Sequence, residues 1–282
     1  MRRAGETGTA AAPADRRTTL ASVTVELAYA EHGGDRTGTP AVLLHAFPVT
    51  SAMYDAVATQ LAERHHVISP DLRGFGGSVL GDDEPSLDLM ADDVSALLGR
   101  LDLDRVVLAG LSMGGYVAMA MLRRHPQRIG AVVLMDTKAA ADAPQARENR
   151  ERMARAVLDE GPSALRPMLE SLLGETTQRD RPQVVEMVAR WIEAVDPPGV
   201  AWAQRAMAAR PSSFRTLADA RVPGFVVVGE EDTLTTHDDA LAMAAAFAPQ
   251  APVHVIPRAG HLSAVENPAA VVGALRDVLR HV

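Results

Sequence analysis

The stretch Gly110-Leu-Ser-Met-Gly-Gly115 follows the apolar run Arg105-Val-Val-Leu-Ala109 and precedes the helix-like run Tyr116-Val-Ala-Met-Ala-Met-Leu122. A Gly-x-Ser-x-Gly turn between a buried strand and a helix bends the chain sharply and lifts the serine hydroxyl above the edge of a sheet. The helix N-terminus beyond it offers free backbone N–H groups to negative charge. Ser112 is therefore a candidate nucleophile, and it asks for a base and an acid elsewhere in the chain.

Outward from this turn, short apolar runs alternate with helical periodicity. Val23–Tyr29 alternates as an edge strand would. Ala41-Val-Leu-Leu44 is apolar on both faces, as a central parallel strand must be. Residues 51–63 read as helix, His66-Val-Ile-Ser69 as strand, and Gly74, Gly76 and Gly77 as a turn. Residues 87–99 place Leu87, Met90, Val94, Leu97 and Leu98 on one helical face. Val106–Leu108, a helix over 114–124 and Ala131–Met135 continue the rhythm. It resumes later with Phe225–Val228, a helix over 237–247, Val253–Ile256 and a closing helix from Val265 to Leu279. This alternation predicts an α/β fold, a mostly parallel sheet with helices on both faces.

Between 138 and 219 no strand-like run occurs. Helical faces such as Leu165, Met168, Leu169 and Leu172 are broken by prolines and glycines. The segment is expected to be a helical cap inserted into a core of residues 21–137 and 220–282, over the carboxyl edge where open α/β sheets bind ligands. Its apolar faces are read mainly as burying one another, and its many arginines mainly as solvated surface. No cap residue is assigned to substrate.

A serine hydroxyl needs a base to take its proton. Among nine histidines, His261 stands just beyond the last strand, after Arg258-Ala-Gly260, on the edge that Ser112 must share. The imidazole in turn needs a carboxylate to fix its tautomer and stabilise its charge. Gly229-Glu-Glu-Asp232 follows the strand Phe225–Val228; Asp232 is the choice, Glu231 the register alternative, and Asp136, which also ends a strand on this edge, the rival. N–H donors for a tetrahedral oxyanion are expected from Met113 and from Phe47 in the loop His45-Ala-Phe-Pro48, since Pro48 has none to give. Losing one such donor costs about 3–4 kcal/mol in a transition state.

Composition narrows the field. The 282 residues carry a formal net charge of −8, which argues against a nucleic-acid partner. The absence of cysteine excludes disulfides, thiolate metal sites and a thiol nucleophile. Lys138 is the only lysine beside many arginines, which reads as coding bias more than as a phosphate-binding surface. Residues 1–20 contain Arg2-Arg3 and Arg16-Arg17 but no apolar core of a signal peptide, so a disordered tail and cytoplasmic residence are expected. No run reaches membrane-spanning length.

Five landmarks in order make the chain resemble the α/β-hydrolase superfamily across residues 22–281: His45-Ala-Phe-Pro48, Asp71-Leu-Arg-Gly-Phe-Gly-Gly-Ser78, Gly110-Leu-Ser-Met-Gly-Gly115, Gly229-Glu-Glu-Asp232, and Gly260-His261 with Glu266-Asn-Pro268. The order Ser112, Asp232, His261 is that of the family's triads. The resemblance implies an eight-stranded, mostly parallel sheet, Ser112 as nucleophile, His261 as base, Asp232 as acid, oxyanion roles for Phe47 and Met113, and structural roles for Asp71 and Arg73. Ala46 departs from the glycine often found there. Serine at the elbow, and the absence of cap tyrosines, speak against haloalkane dehalogenase and epoxide hydrolase chemistry. The elbow is similar to those of enol-lactonases and small esterases. The expectation is an esterase or lactonase acting on a small acyl substrate without metal or cofactor. Alternatives are a C–C bond hydrolase, a cofactor-free haloperoxidase or perhydrolase, and a non-catalytic ligand-binding sensor. A homodimer is one possible assembly.

Overall fold

The apolar runs at 41–44, 106–111 and 129–135 bury every residue, as strands covered on both faces must. In this computed structural model, residues 23–33 and 38–280 are described. Seven strands are present among them: β1 (Tyr29–His32), β2 (Ala41–Leu44), β3 (Val67–Pro70), β4 (Val106–Leu111), β5 (Ile129–Met135), β6 (Gly224–Gly229) and β7 (Val253–Ile256). They lie in the order β1-β3-β2-β4-β5-β6-β7, with β1 antiparallel to β3 and every other pair parallel. This is the α/β-hydrolase fold, with one strand fewer among the described residues than the resemblance implies.

The edge strand begins later than its alternating pattern suggests. Within 23–28 two backbone donors turn to side chains instead of a neighbouring strand. Val25 N–H donates to Asp93 Oδ1 (2.8 Å) and Ala28 N–H to Ser78 Oγ (2.9 Å). The ladder starts only at Tyr29. The expected tail over 1–20 lies outside the described residues.

Helices α1 (Asp55–Leu61), α2 (Leu87–Arg100) and α3 (Met113–Arg124) connect the first strands. Ser86 caps α2 by accepting from Asp88 N–H and Leu89 N–H, and its apolar stripe is buried as the spacing requires. Between β5 and β6 the chain is wholly helical: α4 (Pro144–Glu160), a 3₁₀ stretch (Gly161–Met168), α5 (Leu169–Leu172), α6 (Glu175–Asp180), α7 (Pro182–Glu193), α8 (Pro197–Ala209) and α9 (Phe214–Asp219). After α10 (His237–Ala246), the expected closing helix is split into α11 (Ser263–Glu266) and α12 (Pro268–Leu279). Pro268 cannot continue a helix from Glu266, but it suits the first position of a new one, which Asn267 caps through Ala270 N–H.

Topology sets the position of the site. From β2 the chain moves to β3 on one side and then to β4 on the other. The loops after β2 and β4 therefore open into the crevice of a switch point. Arg73 braces this region from below. It is fully buried, with Nε and Nη2 each 2.8 Å from Asp93 carboxylate oxygens, while Nη1 donates to Leu80 O and Asp83. Asp71 accepts from Ser51 N–H and Gly77 N–H, closing the turn over 71–78.

Candidate active site

Ser112 is the joint between β4 and α3, at φ +55° and ψ −112°, a conformation costly for a residue with a Cβ. Neighbours hold it there. Its N–H donates to Met135 O (2.9 Å), and its carbonyl accepts from Thr137 Oγ1 (2.8 Å) and Tyr116 N–H (3.1 Å). The flanking glycines answer to crowding: a Cβ at Gly110 would collide with Gly114 O, and one at Gly114 with Leu44 O.

His261 follows β7 and is buried, with Nε2 2.8 Å from Ser112 Oγ and Nδ1 2.9 Å from Asp232 Oδ2. The carboxylate accepts, so Nδ1 carries the proton and Nε2 is free to accept from the serine hydroxyl. Asp232 is pinned in the turn after β6. Its Oδ1 accepts from Leu234 N–H (2.8 Å) and Thr235 N–H (3.1 Å), and its Oδ2 also accepts from Thr235 Oγ1 (2.5 Å). Burial alone would raise its pKa. The charge and hydrogen bond of His261, together with the Thr235 donors, outweigh burial and hold the carboxyl below its usual range.

The two rival acids have other partners. Glu231 faces the helical segment, accepting from Thr176 N–H (2.8 Å) and Thr176 Oγ1 (2.5 Å). Asp136, at the end of β5, accepts from Gly229 N–H (2.7 Å) and Ser263 Oγ, and makes no hydrogen bond to His261. Burial and the neighbouring Asp232 charge push its carboxyl well above the ordinary range, against the pull of those two donors.

The loop after β2 is tied down by His45. Burial lowers this imidazole's pKa, against the opposing Ala46 carbonyl and Asp71 charge. The neutral ring spans two strands of backbone, Nδ1–H donating to Ala46 O and Nε2 accepting from Leu72 N–H (2.9 Å each). Ala46 is buried and avoids positive φ, so the loop accommodates alanine without strain. Among the described residues, the N–H groups of Phe47 and Met113 have no protein acceptor.

A cavity of about 210 Å³ opens over Ser112 and His261. Its apolar wall is Phe47, Tyr116, Met168, Leu172, Met207 and Leu234; Thr235, Lys138 and Arg150 complete it. Of the residues flanking the site in sequence, Phe47 lines this space, while Val49, Met113 and Leu262 are packed in the core. Trp202 turns away to donate from Nε1 to Asp83 O (2.8 Å). Sequence reasoning assigned no residue of the helical segment to the cavity, yet Arg150, Met168, Leu172 and Met207 border it. Nothing in their periodicity separates them from neighbours that simply pack. Lys138 carried a usable signal: it stands three residues past β5, on the edge that holds Ser112.

The helical segment is stitched to the loops bearing Asp232 and His261. Glu266 accepts from Gly260 N–H (2.9 Å) and Gly174 N–H (2.8 Å), and Leu262 N–H donates to Leu172 O (3.1 Å). Together with the Glu231–Thr176 bonds, these contacts fasten residues 172–176 beside the site.

This fold and edge arrangement define a class of protein. The chain belongs to the α/β-hydrolase family, whose model matches residues 41–274. It is similar in structure to a thermophilic esterase from Thermogutta terrifontis (malate bound), with TM-score 0.87 and 40% identity over 91% of this chain and 94% of that one. An enol-lactonase from Burkholderia xenovorans gives TM-score 0.81 and 26% identity over 91% of this chain and 97% of that one. The dihydrolipoyllysine-residue acetyltransferase component of the acetoin cleaving system of Pseudomonas putida is 31% identical over 248 residues. That match takes in 85% of this chain, which spans 63% of that relative's length. Among the described residues, no helix is long and apolar enough to cross a membrane.

Proposed function

We propose that the protein is a serine hydrolase cleaving a small carboxylic ester or lactone through an acyl-Ser112 intermediate. The observation that carries this reading is the unbroken contact from Asp232 through His261 to Ser112 at the floor of a small cavity. Ser112 Oγ attacks the carbonyl carbon while its proton passes to His261 Nε2. Asp232, held ionised, stabilises the imidazolium so formed. The carbonyl oxygen takes the negative charge between the N–H groups of Phe47 and Met113. As the tetrahedral intermediate collapses, the ester C–O bond breaks and the imidazolium proton goes to the leaving oxygen. Water then gives a proton to His261 Nε2, attacks the acyl carbon, and regenerates Ser112 with release of the acid.

The mostly apolar wall of Phe47, Tyr116, Met168, Leu172, Met207 and Leu234 suits a small apolar acyl group beside Ser112. The esterase and enol-lactonase neighbours support the reaction class. A panel of short- and medium-chain p-nitrophenyl esters tests the reading. Burst release of p-nitrophenol, with turnover falling about 10⁶-fold in Ser112→Ala, is the expected result, and full activity is expected in EDTA. A silent panel combined with tight small-molecule binding would instead make the protein a sensor on a hydrolase scaffold.

A further inference from the structure

The cavity wall has a charge pattern that ester hydrolysis by itself does not require. Beyond His261, the cationic side chains that line it are Lys138 and Arg150, and no carboxylate borders the space. Around it stands a protein of net charge −8.

Arg150 is half committed. Its Nε donates to Asp142 Oδ2 and its Nη1 to Gln204 Oε1 (3.1 Å) and Met207 Sδ (3.4 Å), which locks the guanidinium in place. Its Nη2 has no protein acceptor among the described residues. Asp142 is shared with Arg210 (2.9 Å), so its charge is already matched by two guanidiniums and leaves Lys138 uncompensated. Lys138, the chain's only lysine, is partly buried and has no hydrogen-bond or ion-pair partner among the described residues. An ammonium at a cavity wall with no protein partner is available to pair with an anion carried by a ligand. One ammonium and one free guanidinium edge suit a group with two oxygens and a single charge.

We propose that Lys138, with Arg150 on the wall of the same cavity, receives a carboxylate carried by the substrate, so that the protein acts on carboxylate-bearing esters or lactones in preference to neutral ones. This rests on the serine-hydrolase reading for its chemistry, but the anion site itself does not depend on turnover. Two measurements separate them. In the first, kcat/KM is compared for monomethyl succinate, a monoanion near neutral pH, and dimethyl succinate, its neutral counterpart. The wild-type protein prefers the monoanion; Lys138→Met lowers the ratio of the two by about 10- to 100-fold, and Lys138→Arg restores part of it. A ratio unchanged by Lys138→Met, or a wild-type preference for the diester, overturns the proposal while leaving the hydrolase standing. In the second, succinate is titrated calorimetrically into Ser112→Ala with Lys138 intact or replaced by Met. Binding weakened tenfold or more by Lys138→Met supports the anion site even if neither ester is turned over, an outcome that would fault the hydrolase reading alone. Succinate binding that is absent, or indifferent to Lys138, overturns it.

Discussion

Asp136 and Asp232 sit at the carboxyl ends of neighbouring strands, both buried, yet they are driven in opposite directions. Asp232 meets an imidazole and three Thr235 and Leu234 donors, and its carboxyl is held low. Asp136 meets only Gly229 N–H and Ser263 Oγ, with Asp232 as a neighbour of like charge, and its carboxyl is held high. The contrast teaches that burial pushes both carboxyls up: at Asp232 the imidazole and the Thr235 donors outweigh it, whereas at Asp136 a neighbouring carboxylate adds to it. It also gives the pair a division of labour. Asp136 knits β5, β6 and α11 together through Gly229 N–H and Ser263 Oγ, while Asp232 alone hydrogen-bonds to His261.

The largest effect that sharpens this comparison is Asp232→Asn. An amide there no longer enforces the Nδ1–H tautomer, and kcat should fall about 10⁴-fold, measured by steady-state hydrolysis of the best p-nitrophenyl ester. If Asp136→Asn produced that loss while Asp232→Asn did not, the roles of the two acids would be reversed. A middle-sized effect is expected from Glu266→Ala. It strands Gly260 N–H and Gly174 N–H, each buried, at about 1–3 kcal/mol apiece, read from denaturant unfolding.

The smallest effect belongs to Asp136→Asn. Asparagine keeps an acceptor for Gly229 N–H, offers an N–H to Ser263 Oγ, and tolerates the positive φ of +42°. Activity should stay within a few-fold of wild type. Stability is where the sign matters. A carboxyl whose folded pKa is raised contributes fully below its unfolded value and loses that contribution as pH rises towards the folded one. Asp136→Asn should therefore match wild type near pH 4 and become the more stable protein with increasing pH, by about 2–4 °C in Tm. Asp232 has the opposite sign: its contribution is present above the unfolded value and disappears as pH falls through the folded one. Melting curves between pH 4 and 8 distinguish the two carboxyls.

The fold was legible because its central strands are apolar on both faces and its turns sit at the ends of those runs. Val23–Tyr29 misled for a definable reason: alternation reports which residues face the core, not where the backbone donors go, and here those of Val25 and Ala28 go to Asp93 and Ser78. The split at Asn267-Pro268 was written in the sequence, since a proline there cannot extend the preceding helix. At the site, Ser112, Asp232 and His261 could be placed on one edge because each follows a strand directly. The choice among Asp232, Glu231 and Asp136 needed coordinates, because three acids at strand ends differ only in what faces them. Arg150 and Met207 were hidden for another reason: a helix side chain that lines a cavity and one that fills a core share the same spacing.

The attachment of residues 172–176 to the turns around Asp232 and His261 has a consequence for endurance. Those turns lie beyond the ladders of the sheet; they are tied to each other, as by Glu231 N–H to Ala259 O (2.8 Å), and to a helical neighbour by a few polar stitches. The working arrangement can thus come undone by a local opening that leaves every strand paired. How long the molecule stays competent under stress is then a property of this seam as well as of its core.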